Sequence, residues 1–307
     1  MIRAAGGVLL LTVLLAIPAA AETPPVARRI VSLSPHLTEL AFDAGAGQWL
    51  VGAVEYSDYP PEARDVPRVG DAFRIDRERL AGVHPDLVLA WAGGTPAVMV
   101  DLLRSDGYRV EVIETGTPDE VAGALERIAE LAGTEEVAAP RAAAFRAGFA
   151  DLERRFAPRS QVRVFVQIAP QPLYTIGHGQ VMDTVISLCG GRNIFGDVRQ
   201  LAPIVNDEAV IAADPQVIIA PRIPDKDVFA RWRQFGSIAA VRDGRLFQID
   251  ADLISRQSLR LLEGAQEICR FLQEARESDS RSRAATTRDR VARALPDRTP
   301  AGPGPWR

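Results

Sequence analysis

The chain has 307 residues, 47% of them hydrophobic and 25% charged, with a formal net charge of -4. That is enough for one large domain or two lobes of about 100–150 residues each. The acidic balance excludes a nucleic-acid binder built on a basic face, and three His and two Cys leave little material for a His/Cys metal cage.

The first residues set the compartment. Arg3, the apolar run from Val8 to Ile17 and then Ala19, Ala20 and Ala21 have the form of a secretory signal peptide, with cleavage expected near Ala21. The run is shorter than the roughly 20 residues of a membrane span. No Cys stands near the cleavage point to carry a lipid, and no later segment is long and apolar enough to span. The mature chain is therefore expected to be exported and soluble. In an oxidising compartment the only two cysteines, Cys189 and Cys269, are expected to form one structural bridge.

Along the chain, residues 28–33 read as a short apolar strand that Ser34-Pro35 ends. Thr38 caps the expected helix that follows, stopped by Gly45 and Gly47. Residues 50–54 form the next strand. Asp76 is a good N-cap for a short helix over 77–83, which Pro85 and Asp86 break. The apolar run 87–91 reads as a parallel strand covered on both faces, with Gly93 and Gly94 opening a loop at its carboxyl end. A helix over 97–105 and a strand over 109–113 complete a first lobe. Strands alternating with helices predict a parallel α/β sheet.

Residues 118–156 are helical and Ala-rich, too poor in Gly and Ser for a flexible joint. Thr134 can cap the second part, whose aromatic and aliphatic residues Phe145, Phe149, Leu152 and Phe156 recur at helical spacing. Pro140 predicts a kink or a start near it. The segment reads as a rigid connection between lobes. Beyond it come a strand over 162–168, a helix over 182–188 stopped by Gly190-Gly191, a short helix capped by Asn206, and buried strands at 217–220 and 246–249. Glu78 and Glu208 stand 130 residues apart, as do Pro85 and Pro215. That shared offset predicts two related lobes. After about Glu277, Arg, Ser, Asp, Thr, Pro and Gly dominate, which predicts a disordered tail.

Five stretches together resemble one family: SLSPHLTELAF, YSDYPPEARD, RERLAGVHPDLVLAWAGG, VISLCGGRNIFGD and SRQSLRLLEGAQEIC. In order and spacing, from Arg28 to Leu272, they look like the periplasmic cobalamin-binding proteins. These belong to the group that delivers iron–siderophores, haem and vitamin B12 to ABC importers. The resemblance implies two Rossmann-like α/β lobes joined by a single long helix, the helical-backbone type of metal-chelate receptor. The boundaries are then a signal peptide to residue 21, an N-terminal lobe over 22–117, a connector over 118–158, a C-terminal lobe over 159–275 and a tail over 276–307. It also implies a periplasmic monomer with no resident cofactor, whose transported ligand is a corrinoid or another metal chelate.

In similar proteins an acid at the tip of each lobe docks onto arginines of a permease dimer, and Glu78 and Glu208 match those positions. A carboxylate meeting a guanidinium gives a bidentate, charge-assisted contact, although an acid in a helix's first turn also favours the macrodipole by itself. For the ligand, Tyr56 matches a tyrosine that packs on it, and Asp252 and Arg256 match positions beside the cleft. Strand-end placement adds Ser34, Pro35, His36, Phe73, Arg74, Trp91, Gly93, Gly94 and Tyr174, since ligands of open α/β sheets lie outside the carboxyl ends of strands. His36 can coordinate a chelate's metal or serve as a hydrogen-bonding loop residue. One departure stands out. The best-known cobalamin receptors carry a tryptophan six residues before each docking acid, where this chain has Ala72 and Ala202, which leaves haem, a ferric siderophore or a cobinamide-like chelate open. A hydrolase or chelatase is a distant alternative, because no nucleophile elbow, P-loop, His-Glu-x-x-His pair or dinucleotide fingerprint is present.

Overall fold

The computed structural model describes residues 25–71 and 74–294. The expected signal peptide, Ala72, Phe73 and the last 13 residues lie outside that range. The N-terminal lobe holds β1 (Ile30–Ser32), α1 (Pro35–Asp43), β2 (Leu50–Ala53), α2 (Arg77–Gly82), β3 (Leu87–Trp91), α3 (Ala97–Ser105) and β4 (Val110–Ile113). Next come α4 (Pro118–Ala132) and the long α5 (Glu135–Phe156). The C-terminal lobe holds β5 (Val162–Val166), a small hairpin of β6 (Ala169–Pro170) and β7 (Leu173–Tyr174), α6 (Val181–Leu188), β8 (Gly191–Asn193), α7 (Asp207–Ala213), β9 (Val217–Pro221), α8 (Ala239–Arg242) and β10 (Leu246–Ile249). The chain closes with α9 (Ala251–Ser255) and α10 (Leu261–Ala294).

The duplication expected from the 130-residue offset is visible in the sheets. The first runs β2-β1-β3-β4 and the second β8-β5-β9-β10, every neighbour parallel. In each lobe the second strand flanks the first, and the third and fourth follow on its other side. The caps are duplicated too. Asp76 accepts hydrogen bonds from the Glu78 and Arg79 amides at the start of α2, and Asn206 accepts one from Ala209 at the start of α7.

Strand alternation explains how the lobes are joined. Leu87 and Leu89 of β3 point into one apolar cluster, Val88 and Ala90 into another. Val217 and Ile219 of β9 share the first cluster, while Ile218 and Ala220 enter a third. That first cluster is common to both sheets and to α1, α4, α5, α6 and α10. Each sheet thus has a private outer layer, and the inner faces share one core.

Three local features differ from the sequence reading. Helix α1 starts at Pro35, with Ser34 in the N-cap position; Pro ends the strand by opening a helix, where its missing N–H costs nothing. Thr38 lies inside that helix, its hydroxyl bonded to Ser34 O and Ser57 Oγ. The segment 118–158 divides at Gly133, whose left-handed conformation (φ 65) closes α4, and the long α5 that follows is the connecting helix. Helix α5 starts at Glu135 and continues through Pro140. The third concerns the tail: α10 continues past residue 276 to Ala294. Composition there suggests disorder, yet specific anchors hold the helix. Arg276 donates to the carbonyls of Ser160, Cys189 and Gly190 at 2.7–2.9 Å, Asp279 pairs with Arg245, and the Cys189–Cys269 disulfide ties α6 to α10.

Candidate functional site

The carboxyl edges of the two sheets face each other across a cleft of two adjoining hollows, about 390 and 430 Å³, which meet at Trp91 and Ser255. The first takes one wall from the β1–α1 turn. His36 stands in the first turn of α1, 3% exposed, its Nδ1 2.6 Å from Ser34 Oγ and its Nε2 without a hydrogen-bond partner. Burial, reinforced by the charge of Arg256, pushes its pKa down to about 3, so the imidazole is neutral. Trp91 ends β3 and meets the His36 ring edge-on at 5.0 Å. Gly93 and Gly94 let the next loop fold over the indole: a Cβ at Gly94 would come within 2.2 Å of it, and one at Gly93 within 2.8 Å. Tyr56 lines the same hollow, 79% exposed, from a left-handed turn (φ 65).

The opposite wall is α9 and the residues after it. Asp250 caps α9 by accepting from the Asp252 amide at 2.9 Å. Asp252 pairs with Arg256 at 3.1 Å, and burial pushes its carboxyl above the usual range against Arg256 and Arg260. Beneath them lies an acid that sequence reasoning missed. Glu39 of α1 is 1% exposed. It accepts from Arg260 Nε (3.0 Å) and Nη2 (2.6 Å), from Arg256 Nη1 (3.0 Å) and from Ser258 Oγ (2.6 Å). Asp58 holds the same Arg256 nitrogen at 2.7 Å, and Tyr59 lies under the Arg260 guanidinium at 3.9 Å. One carboxylate of the first lobe therefore clamps two arginines of the chain's far end at the floor of the cleft.

Of the residues singled out from sequence, Ser34, Pro35, His36, Tyr56, Trp91, Gly93, Gly94, Asp252 and Arg256 line these hollows. Two others do not. Arg74 is exposed and closes a turn through its backbone with Asp71. Tyr174 lies in β7, its carbonyl accepting from Ile168 and its strand bridged to Ile204. The hairpin that holds it is an insertion the first lobe lacks, so the strand-end rule misplaces it; Ile168 and Leu201 take that wall. Phe73 lies outside the described residues. Also missed were Glu114, Thr115 and Gly116, which directly follow β4, and Gln257, beside Arg256; the rule that found Trp91 after β3 would have found the first three after β4. Ala202, where a tryptophan was expected, lines the second hollow.

Glu78 and Glu208 are both exposed, one residue inside their helices. Helices that connect parallel strands run back across the sheet, so both N-termini, and both acids, lie toward the cleft-side rim. Among the described residues neither carboxylate has a hydrogen-bond or ion-pair partner, whereas their neighbours do: Asp76 binds Arg79 at 3.2 Å and Asp207 binds Arg231 at 2.7 Å.

Comparison with known proteins agrees with this geometry. A vitamin B12-binding protein of Vibrio cholerae is 34% identical over 263 residues, 85% of this chain and 95% of its own length. One from Yersinia pseudotuberculosis is 36% identical over 264 residues, 85% and 90% of the two chains. The crystal structure of the Vibrio cholerae periplasmic vitamin B12 binding protein BtuF superposes with a TM-score of 0.76 at 34% identity, covering 81% of this chain and 98% of that one. The periplasmic haem-binding protein BhuT shares the fold at 23% identity and a TM-score of 0.71, over 82% and 99%. The model of the periplasmic binding protein family matches residues 30–253. With its two matching sheets, its single connecting helix and its inter-lobe cleft, the chain belongs to that family.

Proposed function

We propose that the protein is a periplasmic receptor that captures a corrinoid in the cleft, leaves it chemically unchanged and delivers it to an ABC importer. The observation that carries the reading is the cleft wall. Trp91 and Tyr56 offer aromatic surface to a flat macrocycle, and the polar groups of His36 and α9 line the same hollow. The relatives that cover most of the chain are named for vitamin B12, which favours a corrin over other chelates.

The shared inner core and the Glu39 clamp limit lobe movement, because opening the lobes would part close-packed side chains and a buried ion-pair cluster. Capture is then a fit into a largely formed cleft. Glu78 and Glu208 are the docking prongs, one per lobe, with exposed carboxylates to meet permease arginines.

Titration of the purified mature chain with cyanocobalamin, haemin and a ferric siderophore, read by absorbance and calorimetry, tests the ligand. Selective binding of haemin or the siderophore overturns the corrinoid reading. The Glu78→Ala/Glu208→Ala double variant is expected to keep its ligand affinity within about twofold and to lose most transport in reconstituted vesicles; loss of binding counts against the docking role.

A further inference from the structure

The second hollow differs chemically from the first. Two of its residues carry buried side-chain oxygens with no partner among the described residues: Thr115 Oγ1, at 1% residue exposure, and Gln257 Oε1, at 6%. They come from different lobes, Thr115 from the carboxyl edge of β4 and Gln257 from the segment after α9, and they border the same space. A buried oxygen left unpaired is costly unless a ligand satisfies it. The charge of the hollow narrows what that ligand presents. Its described lining has no Arg, Lys or His, and its one ionisable group is the acid Glu114. Arg256, the cation lining the adjoining hollow, is engaged by Glu39, Asp58 and Asp252.

We propose that Thr115 and Gln257 form a two-sided reader for neutral primary-amide side chains of the ligand, and that this hollow selects an amide-fringed macrocycle over a carboxylate-fringed one. A ligand amide donates N–H to Gln257 Oε1 and accepts from, or donates to, the Thr115 hydroxyl. A carboxylate there has no N–H to offer, meets no cation and faces Glu114 across a partly dehydrated space, where like charges repel. This reader rests on the corrinoid reading and gives it a basis for selectivity, with Ala202 lining the hollow where a tryptophan was expected.

The test keeps the ring constant and changes the fringe. The full mature chain is titrated with dicyanocobinamide, which carries amides, and with dicyanocobyrinic acid, which carries carboxylates on the same corrin. Haemin forms a third arm. The wild-type chain is expected to bind the amide form at least about 100-fold more tightly. Thr115→Val and Gln257→Leu are each expected to weaken cobinamide about tenfold while moving cobyrinic acid less than about twofold. Thr115→Ser, which keeps the hydroxyl, restores the preference, and unchanged unfolding temperatures certify each variant. Equal wild-type affinity for the two corrins overturns the proposal alone, as does equal weakening of both by the variants or no weakening of either. Binding of haemin with neither corrinoid overturns the proposal and the corrinoid reading together.

Discussion

The two lobes share a plan and differ where it matters. Both sheets place their strands in the same order, and each lobe carries a capped short helix with an exposed acid in its first turn. At the cleft the likeness ends. The first lobe turns directly from β1 into α1 and presents His36, Trp91 and Tyr56. The second interposes the β6–β7 hairpin and presents Ile168, Leu201 and Ala202. Duplication preserved what each half must do alike, which is to fold and to carry an outward charge. The facing edges do not repeat each other: they line the two hollows with different residues.

That contrast can be broken or sharpened by experiment. The largest effect is expected at the joint. Glu39→Ala leaves two arginines in a buried site without their shared acid, which should cost about 3–5 kcal/mol in chemical denaturation; a loss below about 1 kcal/mol would mean the lobes are held by the apolar core alone. Next comes acid sensitivity in the first lobe. His36 has a folded pKa of about 3 against 6.5 for the free group, so protons bind the unfolded chain preferentially. The stability it allows is complete above pH 6.5 and falls as pH drops toward 3, by about 3 kcal/mol at pH 4. In His36→Gln that limb of the stability curve should flatten by this amount; superimposable wild-type and variant curves would refute the neutral buried imidazole. The smallest effect concerns the ligand. Trp91→Ala should weaken cobinamide binding about 10- to 100-fold, and Tyr174→Ala less than about twofold. Equal losses would erase the division of labour between the lobes.

Much of this was legible in the chain because its signals are local. The Asp76 and Asn206 caps, the breaking prolines and the apolar runs at 87–91 and 217–220 are each decided within a few residues. Helix α3 emerges with the expected ends, Ala97–Ser105. What escaped depends on partners far away. Glu39 looks like one more helical acid until residues more than 200 positions later close on it. Thr115 and Gln257 are ordinary polar residues until the fold buries them without partners. The stretch after Arg276 has the composition of a solvated tail, yet it continues α10, which Arg276 anchors on Cys189 and Gly190 and Asp279 on Arg245. Tyr174 was misplaced for a related reason, since a two-strand insertion shifted the register of an otherwise faithful repeat.

The apolar cluster common to both halves has a consequence for traffic at the membrane. If that shared core keeps the lobes together, the molecule keeps nearly the same silhouette whether empty or full. If Glu78 and Glu208 are the handles a transporter grips, unladen molecules occupy its doorway as readily as laden ones. Overproducing the receptor at scarce vitamin should then slow import rather than hasten it.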